Sequence, residues 1–460
     1  MGPVWSSTLP FTRKIQSNVI DILFVMNSYP SKHRKRRFFE VTDENRNPNA
    51  AKRLNNAEEN TKIIEQYQPL LRKYENDRDL VILDAEEELG TKPGQNYLSI
   101  VLRTKIFGKK GDGKLYKKSF IRKIAVENET YKTMARSDDL FRIEAHMYEN
   151  LLPLWGNIGP KCIFSQPDEI ILEDLGQRQF NTCEIRNFFD LDHCLAVVQT
   201  LSSMHSKSLS LKLKEPETFE RLIAPLNENI FPADERPSMS IHYENGIGTA
   251  LTLLQSIQPC VPKVDRAIKF LLHYQNKVVA TMKEFLLPRA GTKRYWVITH
   301  GDTWKNNIMF NYDNEGKIVN VKFVDFQIAR HASAALDFTY FLYTSAQAEV
   351  IENHIDDIVA EYERFFLHDL RRCDALESDL KAFSRPGWFT EELQRYGLFG
   401  FLGALTTINA IFMDEERAAL YEKSKIGDVE IPSGGESSTE KRDRILFMID
   451  HYITHFRKDL

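Results

Sequence analysis

Two carboxylates and an amide stand close together in the stretch Tyr295 to Gln327: His300-Gly301-Asp302, then Asn307, then Asp325-Phe326-Gln327. Each follows a short apolar run, Val297-Ile298 or Ile318 to Val324, that reads as a strand. A carboxylate, an amide and a second carboxylate arranged around a strand-loop-strand unit suit phosphoryl transfer. One Asp accepts the proton of an attacking hydroxyl, while the Asn and the second Asp hold the magnesium that neutralises nucleotide phosphates. Taken singly, each residue has an ordinary use. Asp302 suits a turn cap and Asp325 a strand-end cap, His300 a loop hydrogen bond, and Trp304 and Phe310 pack the loop. Gly301 supplies a backbone conformation that other residues resist. The conjunction carries the chemistry.

Such a centre needs elements upstream to hold a nucleotide. In Ser119-Phe120-Ile121-Arg122-Lys123, strand alternation puts Ile121 and Lys123 on one face and Arg122 on the other. A lysine here reaches phosphates, and its apolar neighbour lies beside adenine. In the helical stretch Leu140 to Leu152, Phe141, Glu144, Tyr148 and Leu151 share a face, and a glutamate among apolar residues calls for a cation. Lys123 is the natural partner. Lys161 to Gly176 reads as strand, turn and strand, with Glu173-Asp174-Leu175 as a hinge whose backbone meets the adenine edge. Of two glycine-bearing turns, Gly108 to Lys114 has the Asp-Gly chemistry of a hairpin connection. The segment Gly94 to Ser99 lies between the first two strands, where a flap over a nucleotide belongs. Neither matches G-x-x-x-x-G-K-[ST], which excludes a P-loop.

The remainder sets bounds. At 460 residues, 42% hydrophobic and 27% charged, the chain suits a globular protein of more than one unit. A net charge of −4 gives no reason to expect nucleic-acid binding, and no obligate protein partner is evident. Five scattered cysteines, without C-x-x-C spacing, argue against a disulfide framework or zinc site and for a reducing, cytoplasmic setting. Residues 1–55, with the basic run Ser31 to Arg37, read as a disordered basic and polar tail without a signal peptide. Met1-Gly2 with Ser6 formally matches a myristoylation pattern that Pro3 disfavours. Globular patterning starts near Asn56, with Ile63, Ile64, Tyr67, Leu70 and Leu71 in a leading helix, then strands at Leu80–Leu83, Asn96–Phe107 and Leu115–Ala125. Beyond Gly176 helices dominate. Leu191 to Met204 form an apolar stripe ending at His205, a packing or hydrogen-bonded histidine, and 210–290 holds two helical patterns, the second spanning Val264 to Leu286. The uncharged Gly397 to Met413 approaches the roughly 18-residue length of a membrane span. Its three glycines and flanking charges make it a buried core helix instead. Pro432 to Ser438 reads as a mobile loop.

His300-Gly301-Asp302-x-Trp304-x-x-Asn307-x-x-Phe310 with Asp325-Phe326-Gln327 resembles the ecdysteroid kinase-like family, also called CHK kinase-like proteins, which are related to choline kinases and aminoglycoside phosphotransferases. The likeness runs from about Asn56 to near the C-terminus. It also rests on Gly94-x-Asn96-Tyr97-x-Ser99, the Ser119 to Lys123 strand, Phe141-x-x-Glu144, Glu173-Asp174-Leu175 and Leu336-Asp337. It implies an α+β, protein-kinase-like fold: a five-stranded antiparallel N-lobe over 56–175 and a larger, mainly helical C-lobe over 176–460. Asp302 would be the catalytic base and Asn307 and Asp325 the magnesium ligands. Gly94, Asn96, Tyr97, Ser99, Ile121, Lys123, Glu144, Glu173, Asp174 and Leu175 would form the ATP site, and Asp337 would brace the catalytic segment. The implied reaction is ATP-dependent phosphorylation of a small-molecule alcohol, an ecdysteroid or related lipophilic compound. The alternatives are a choline- or ethanolamine-type kinase and a catalytically silent nucleotide-binding protein. Arg122 stands where the family usually has an aliphatic residue, and a proline often found after the lysine is missing.

Overall fold

The computed structural model describes residues 48–91, 99–126, 128–183, 187–234, 236, 238–259, 261–287, 293–373, 375–424 and 438–457. The basic run, the segment Gly94 to Leu98 and all of the Pro432 loop except Ser438 lie outside them.

Helix α1 (Pro48–Tyr74) begins ahead of the expected start at Asn56. Its Ile63, Tyr67 and Leu71, spaced four apart, are buried against Ile82, Ile106, Phe120 and Ile171. Those residues line one face of a five-stranded antiparallel sheet of order β1-β2-β3-β5-β4. Its strands are β1 (Val81–Leu89), β2 (Ser99–Lys109), β3 (Leu115–Ala125), β4 (Cys162–Gln166) and β5 (Glu169–Glu173). The Gly108 to Lys114 segment closes the β2–β3 hairpin, with Lys109 opposite Leu115 and Gly113 at φ 83°, the left-handed conformation its turn requires. Helix α2 (Ser137–His146) packs on the opposite face of the sheet and continues through a widened turn at Met147–Leu151. Phe141, Glu144, Tyr148 and Leu151 are all buried along this run. That side of the sheet is continuous with the main core of the chain.

The larger lobe is mainly helical: α3 (Leu191–Lys214), α4 (Ile241–Gln255), α5 (Ala335–Ser345), α6 (Ala348–Arg372), α7 (Trp388–Ile411) and α8 (Thr439–Phe456) are its long elements. Together the lobes make the α+β, protein-kinase-like arrangement that the sequence implied. Two details differ from the sequence reading. The pattern from Val264 to Leu286 is two helices, Pro262–Tyr274 and Val278–Phe285, because Asn276 at φ 59° breaks the run. The strand-loop-strand unit of the central stretch is likewise split between two small sheets. β7 (Val297–Thr299) pairs with β10 (Arg330–Ala332), whereas β8 (Ile308–Tyr312) pairs with β9 (Ile318–Phe323) and with β6 (Asn181–Thr182). The reversal comes after β9, where Asp325 takes φ 69° and the chain turns back toward β7. The uncharged Gly397 to Met413 stretch is largely buried within α7, and among the described residues no helix is long and apolar enough to cross a membrane.

Candidate active site

The loop after β7 is fixed from below by Asp337, in the first turn of α5. Its Oδ2 accepts the His300 N–H at 2.7 Å and its Oδ1 the Gly301 N–H at 2.8 Å. His205, at the buried end of the α3 stripe, donates from Nε2 to the same Oδ2 at 3.1 Å and accepts at Nδ1 from the Tyr362 hydroxyl at 2.8 Å. Burial alone would raise Asp337, but His205, His300 and the Gly301 N–H outweigh it and hold the carboxyl below its usual range. Gly301 sits at φ 87°, and a Cβ there would stand 2.1 Å from the Ile328 carbonyl oxygen. Only glycine lets the chain pass.

His300 is fully engaged. Nδ1 accepts the Asp302 N–H at 3.2 Å, and Nε2 donates to the Val324 carbonyl at 3.0 Å. Burial keeps its pKa low, so the ring stays neutral with its proton on Nε2. It is a strut of the loop.

Asp302 has a donor on each oxygen. Tyr340 donates to Oδ1 at 2.8 Å and Asn307 Nδ2 to Oδ2 at 2.9 Å. Burial, then the neighbouring Asp325 charge, lifts its carboxyl to about 7 against these donors. Asn307 follows in a short turn, Lys305–Asn307, and its Nδ2 also reaches the Asp302 carbonyl at 3.0 Å. With the amide nitrogen committed, the Asn307 carbonyl oxygen is the atom left to face a cation.

Across from it, Lys123 Nζ lies 2.7 Å from both Glu144 oxygens and 3.1 Å from Asp325 Oδ1. Burial opposes the charge on Lys123, but Asp325 and Glu144 prevail and hold its pKa up. Burial raises Glu144 to about 7 although Lys123 pulls it down. The neighbouring Arg122 turns the other way, to Glu169 and to Glu87 at 3.2 Å, so strand alternation separates the two cations as expected. Asp325 is held in its left-handed conformation by its N–H donating to the Tyr148 hydroxyl at 3.2 Å. A non-glycine residue kept there is strained, and strain of this kind gathers at functional positions.

The donors fit magnesium: an amide oxygen on Asn307 and a carboxylate on Asp325 are hard oxygen ligands. Among the described residues no group of three His, Cys, Asp or Glu could hold a metal alone. Magnesium bound here would complete its shell from water and phosphate oxygens, as it commonly does.

The adenine-side expectations divide. Ile121, on the Lys123 face of β3, packs against the main core. Ser99 is buried at the start of β2, while Gly94, Asn96 and Tyr97 lie outside the described residues. Asp174 is spent internally: it accepts from the Ser119 hydroxyl, from Arg103 Nε at 2.9 Å and from the Gly176 N–H at 2.9 Å, capping the short helix Leu175–Arg178. Glu173 accepts the Lys161 N–H at 3.0 Å and faces Arg178 at 3.3 Å. What this segment offers a ligand is backbone, with the Leu175 N–H at the start of a short helix that cannot satisfy it internally.

Sequence reasoning missed Tyr340 and gave Tyr148 only a packing role. Tyr340 lies three residues after Asp337, one helical turn along the same face of α5, and that spacing was the available signal.

A family model described as EcKL, Ecdysteroid kinase-like family, matches residues 93–375. No curated protein matches at a significant level. Among solved structures the chain is similar to the macrolide 2'-phosphotransferase MphH from Brachybacterium faecium, at 11% identity over 78% of this chain and 96% of that one, with a TM-score of 0.32. It is also similar to APH(2")-IIa in its ternary complex with streptomycin and ATP, at 13% identity over 73% and 97%, with a TM-score of 0.28. The AMP-bound spectinomycin phosphotransferase APH(9)-Ia matches at 10% identity over 75% and 90%, with a TM-score of 0.28.

Proposed function

This chain belongs to the ecdysteroid kinase-like family, and from that premise we propose that it transfers the γ-phosphate of ATP to the hydroxyl of a small lipophilic alcohol, an ecdysteroid or a related compound. The convergence of Lys123, Glu144, Asp302, Asn307 and Asp325 carries the reading. Residues 123 and 325 lie far apart in sequence, yet Lys123 Nζ is 3.1 Å from Asp325, and Asp302 is 2.9 Å from Asn307. The intact set also weighs against a catalytically silent fold.

The steps follow from these groups. Lys123, kept charged and aimed by Glu144, binds phosphate oxygens. Asn307 and Asp325 would hold magnesium, which when bound neutralises phosphate charge. Asp302 accepts a hydrogen bond from the acceptor hydroxyl and orients it for in-line attack on the γ-phosphorus. With a pKa lifted to about 7, it is a stronger proton acceptor than an ordinary aspartate. The hydroxyl proton passes to Asp302 as the new P–O bond forms and ADP leaves. Positioning and electrostatics supply most of the rate, because the transition state is loose. Leu175 N–H serves the adenine edge, and Ile121 its face.

The aromatic faces near Tyr340 would suit a choline-like cation as well as a neutral acceptor, and it is the charge balance that speaks for the neutral one. Tyr243 packs on Phe231 at 4.8 Å, and Phe231 on Phe399 at 5.6 Å. The nearby Glu228 is already paired with Arg330 at 2.9 Å, so it is not a free anchor for an ammonium group.

The test is incubation with labelled ATP, magnesium and a panel of ecdysone, choline, ethanolamine and hydroxylated xenobiotics. Label on a steroid supports the proposal. Label on choline moves the chain to the cationic class, and ATP binding without transfer to any acceptor rejects the kinase reading. Asp302→Asn should lower kcat by about 10²–10⁴ with ATP affinity kept. Unchanged turnover would remove Asp302 from the base role.

A further inference from the structure

Helix α7 presents Gly397, Gly400 and Gly403, three residues apart, toward α5. A Cβ on Gly400 would stand 2.2 Å from the Leu336 carbonyl oxygen and 2.6 Å from the Tyr340 nitrogen. On Gly403 it would stand 3.1 Å from Tyr340 Cδ2. The two helices therefore meet backbone to backbone. One turn beyond Gly403, Thr407 Oγ1 comes within 2.7 Å of the Tyr340 hydroxyl, which lies 2.8 Å from Asp302 Oδ1.

Counting protons fixes the direction of this chain. An ionised carboxylate only accepts, so the Tyr340 O–H donates to Asp302, and its oxygen accepts from Thr407. Thr407 has a second acceptor in its own helix, the Gly403 carbonyl, but at 3.3 Å that contact is the longer. A donor that itself receives a hydrogen bond is polarised and binds its acceptor more strongly.

We propose that Tyr340 and Thr407 are positioning residues for phosphoryl transfer, a hydroxyl relay that clamps Asp302 Oδ1 while Asn307 holds Oδ2. The carboxylate then cannot rotate, and the acceptor alcohol meets a lone pair of fixed direction. The glycine seam of α7 serves this relay by setting the distance between Thr407 and Tyr340. The proposal rests on the phosphotransferase reading above, and it extends the oriented-base logic of other catalytic centres to a tyrosine and a threonine.

The test is steady-state kinetics on the full chain with magnesium-ATP and, in parallel, ecdysone and choline as acceptors. Tyr340→Phe should lower kcat roughly 10-fold, the value of a hydrogen bond to a charged group, with KM for ATP within about twofold. Thr407→Val should lower kcat several-fold, and Thr407→Ser should restore it. A wild-type chain that phosphorylates neither probe nor any other acceptor of the panel above sinks both readings. If the wild type is active and Asp302→Asn is not, wild-type kcat in Tyr340→Phe and Thr407→Val overturns the relay alone. So does a Thr407→Ser variant as slow as Thr407→Val, or a KM for ATP that rises in step with the loss of kcat. If Tyr340→Phe fails to fold, the two Thr407 variants decide.

Discussion

Lys123→Met keeps most of the side-chain volume and removes the charge facing Glu144 and Asp325. Lys123 and Glu144 are enclosed, with side-chain exposures of 6% and 1%. Stranding one partner of such a buried pair costs about 3–5 kcal/mol. The cost should depend on pH, because a buried carboxylate without a cation takes up a proton instead of staying charged. Burial already lifts Glu144 to about 7 while Lys123 pulls it down, so loss of Lys123 drives it higher. In the unfolded chain the group titrates near its ordinary value of about 4.3. A folded pKa above the unfolded one means that the folded state binds the extra proton. Stability therefore falls as pH rises between the two values, by about 1.4 kcal/mol per unit for one proton. From about pH 7 down to about pH 5, Lys123→Met should regain roughly 2–3 kcal/mol relative to Lys123→Met/Glu144→Gln, which has no carboxyl there to protonate. Urea unfolding of both variants at these pH values measures the difference, in which titrations remote from Glu144 and its neighbour Asp325 cancel. Parallel curves would refute the reasoning and assign the loss to packing.

Gly301→Ala forces a Cβ toward the Ile328 carbonyl at a φ of 87°. It should destabilise the protein by at least about 2 kcal/mol; a thermal midpoint equal to wild type would count against the tight loop. Asp337 has its folded pKa depressed, so its contribution is complete above the ordinary value near 3.9 and fades as pH falls through the folded value. Asp337→Asn should therefore start about 3 kcal/mol less stable at neutral pH and lose less than wild type on acidification below about pH 4. Equal acid slopes in the two proteins would remove Asp337 as the anchor of the His300 loop.

Much of the site was legible because its residues obey short-range rules. Strand period put Lys123 and Arg122 on opposite faces, and helix period put Glu144 on the buried face of α2; both hold in the structure. The motif from His300 to Gln327 carried the family resemblance, and the matching family model covers it. His205 and His300 read as hydrogen-bonded histidines, and their ring nitrogens are engaged inside the protein. Misreadings arose where local pattern was silent. The Val264 to Leu286 pattern continued smoothly across Asn276, since hydrophobic period does not register a single left-handed residue. Local pattern was equally silent on the Asp174 side chain, whose partners Arg103 and Ser119 are remote in sequence and leave the backbone of the expected hinge untouched.

The sequence by itself determined the residue types of the proposed catalytic centre, the sheet that carries Lys123 and the helix that carries Glu144, because periodicity and motif spacing are properties of neighbours along the chain. Only the tertiary structure decided what surrounds Asp302. Tyr340, 38 positions away, touches it from α5, and Thr407 meets Tyr340 across a seam with α7 whose glycines in sequence marked only a buried core helix. Close approach of two helices depends on which faces meet, and that is settled when the core packs.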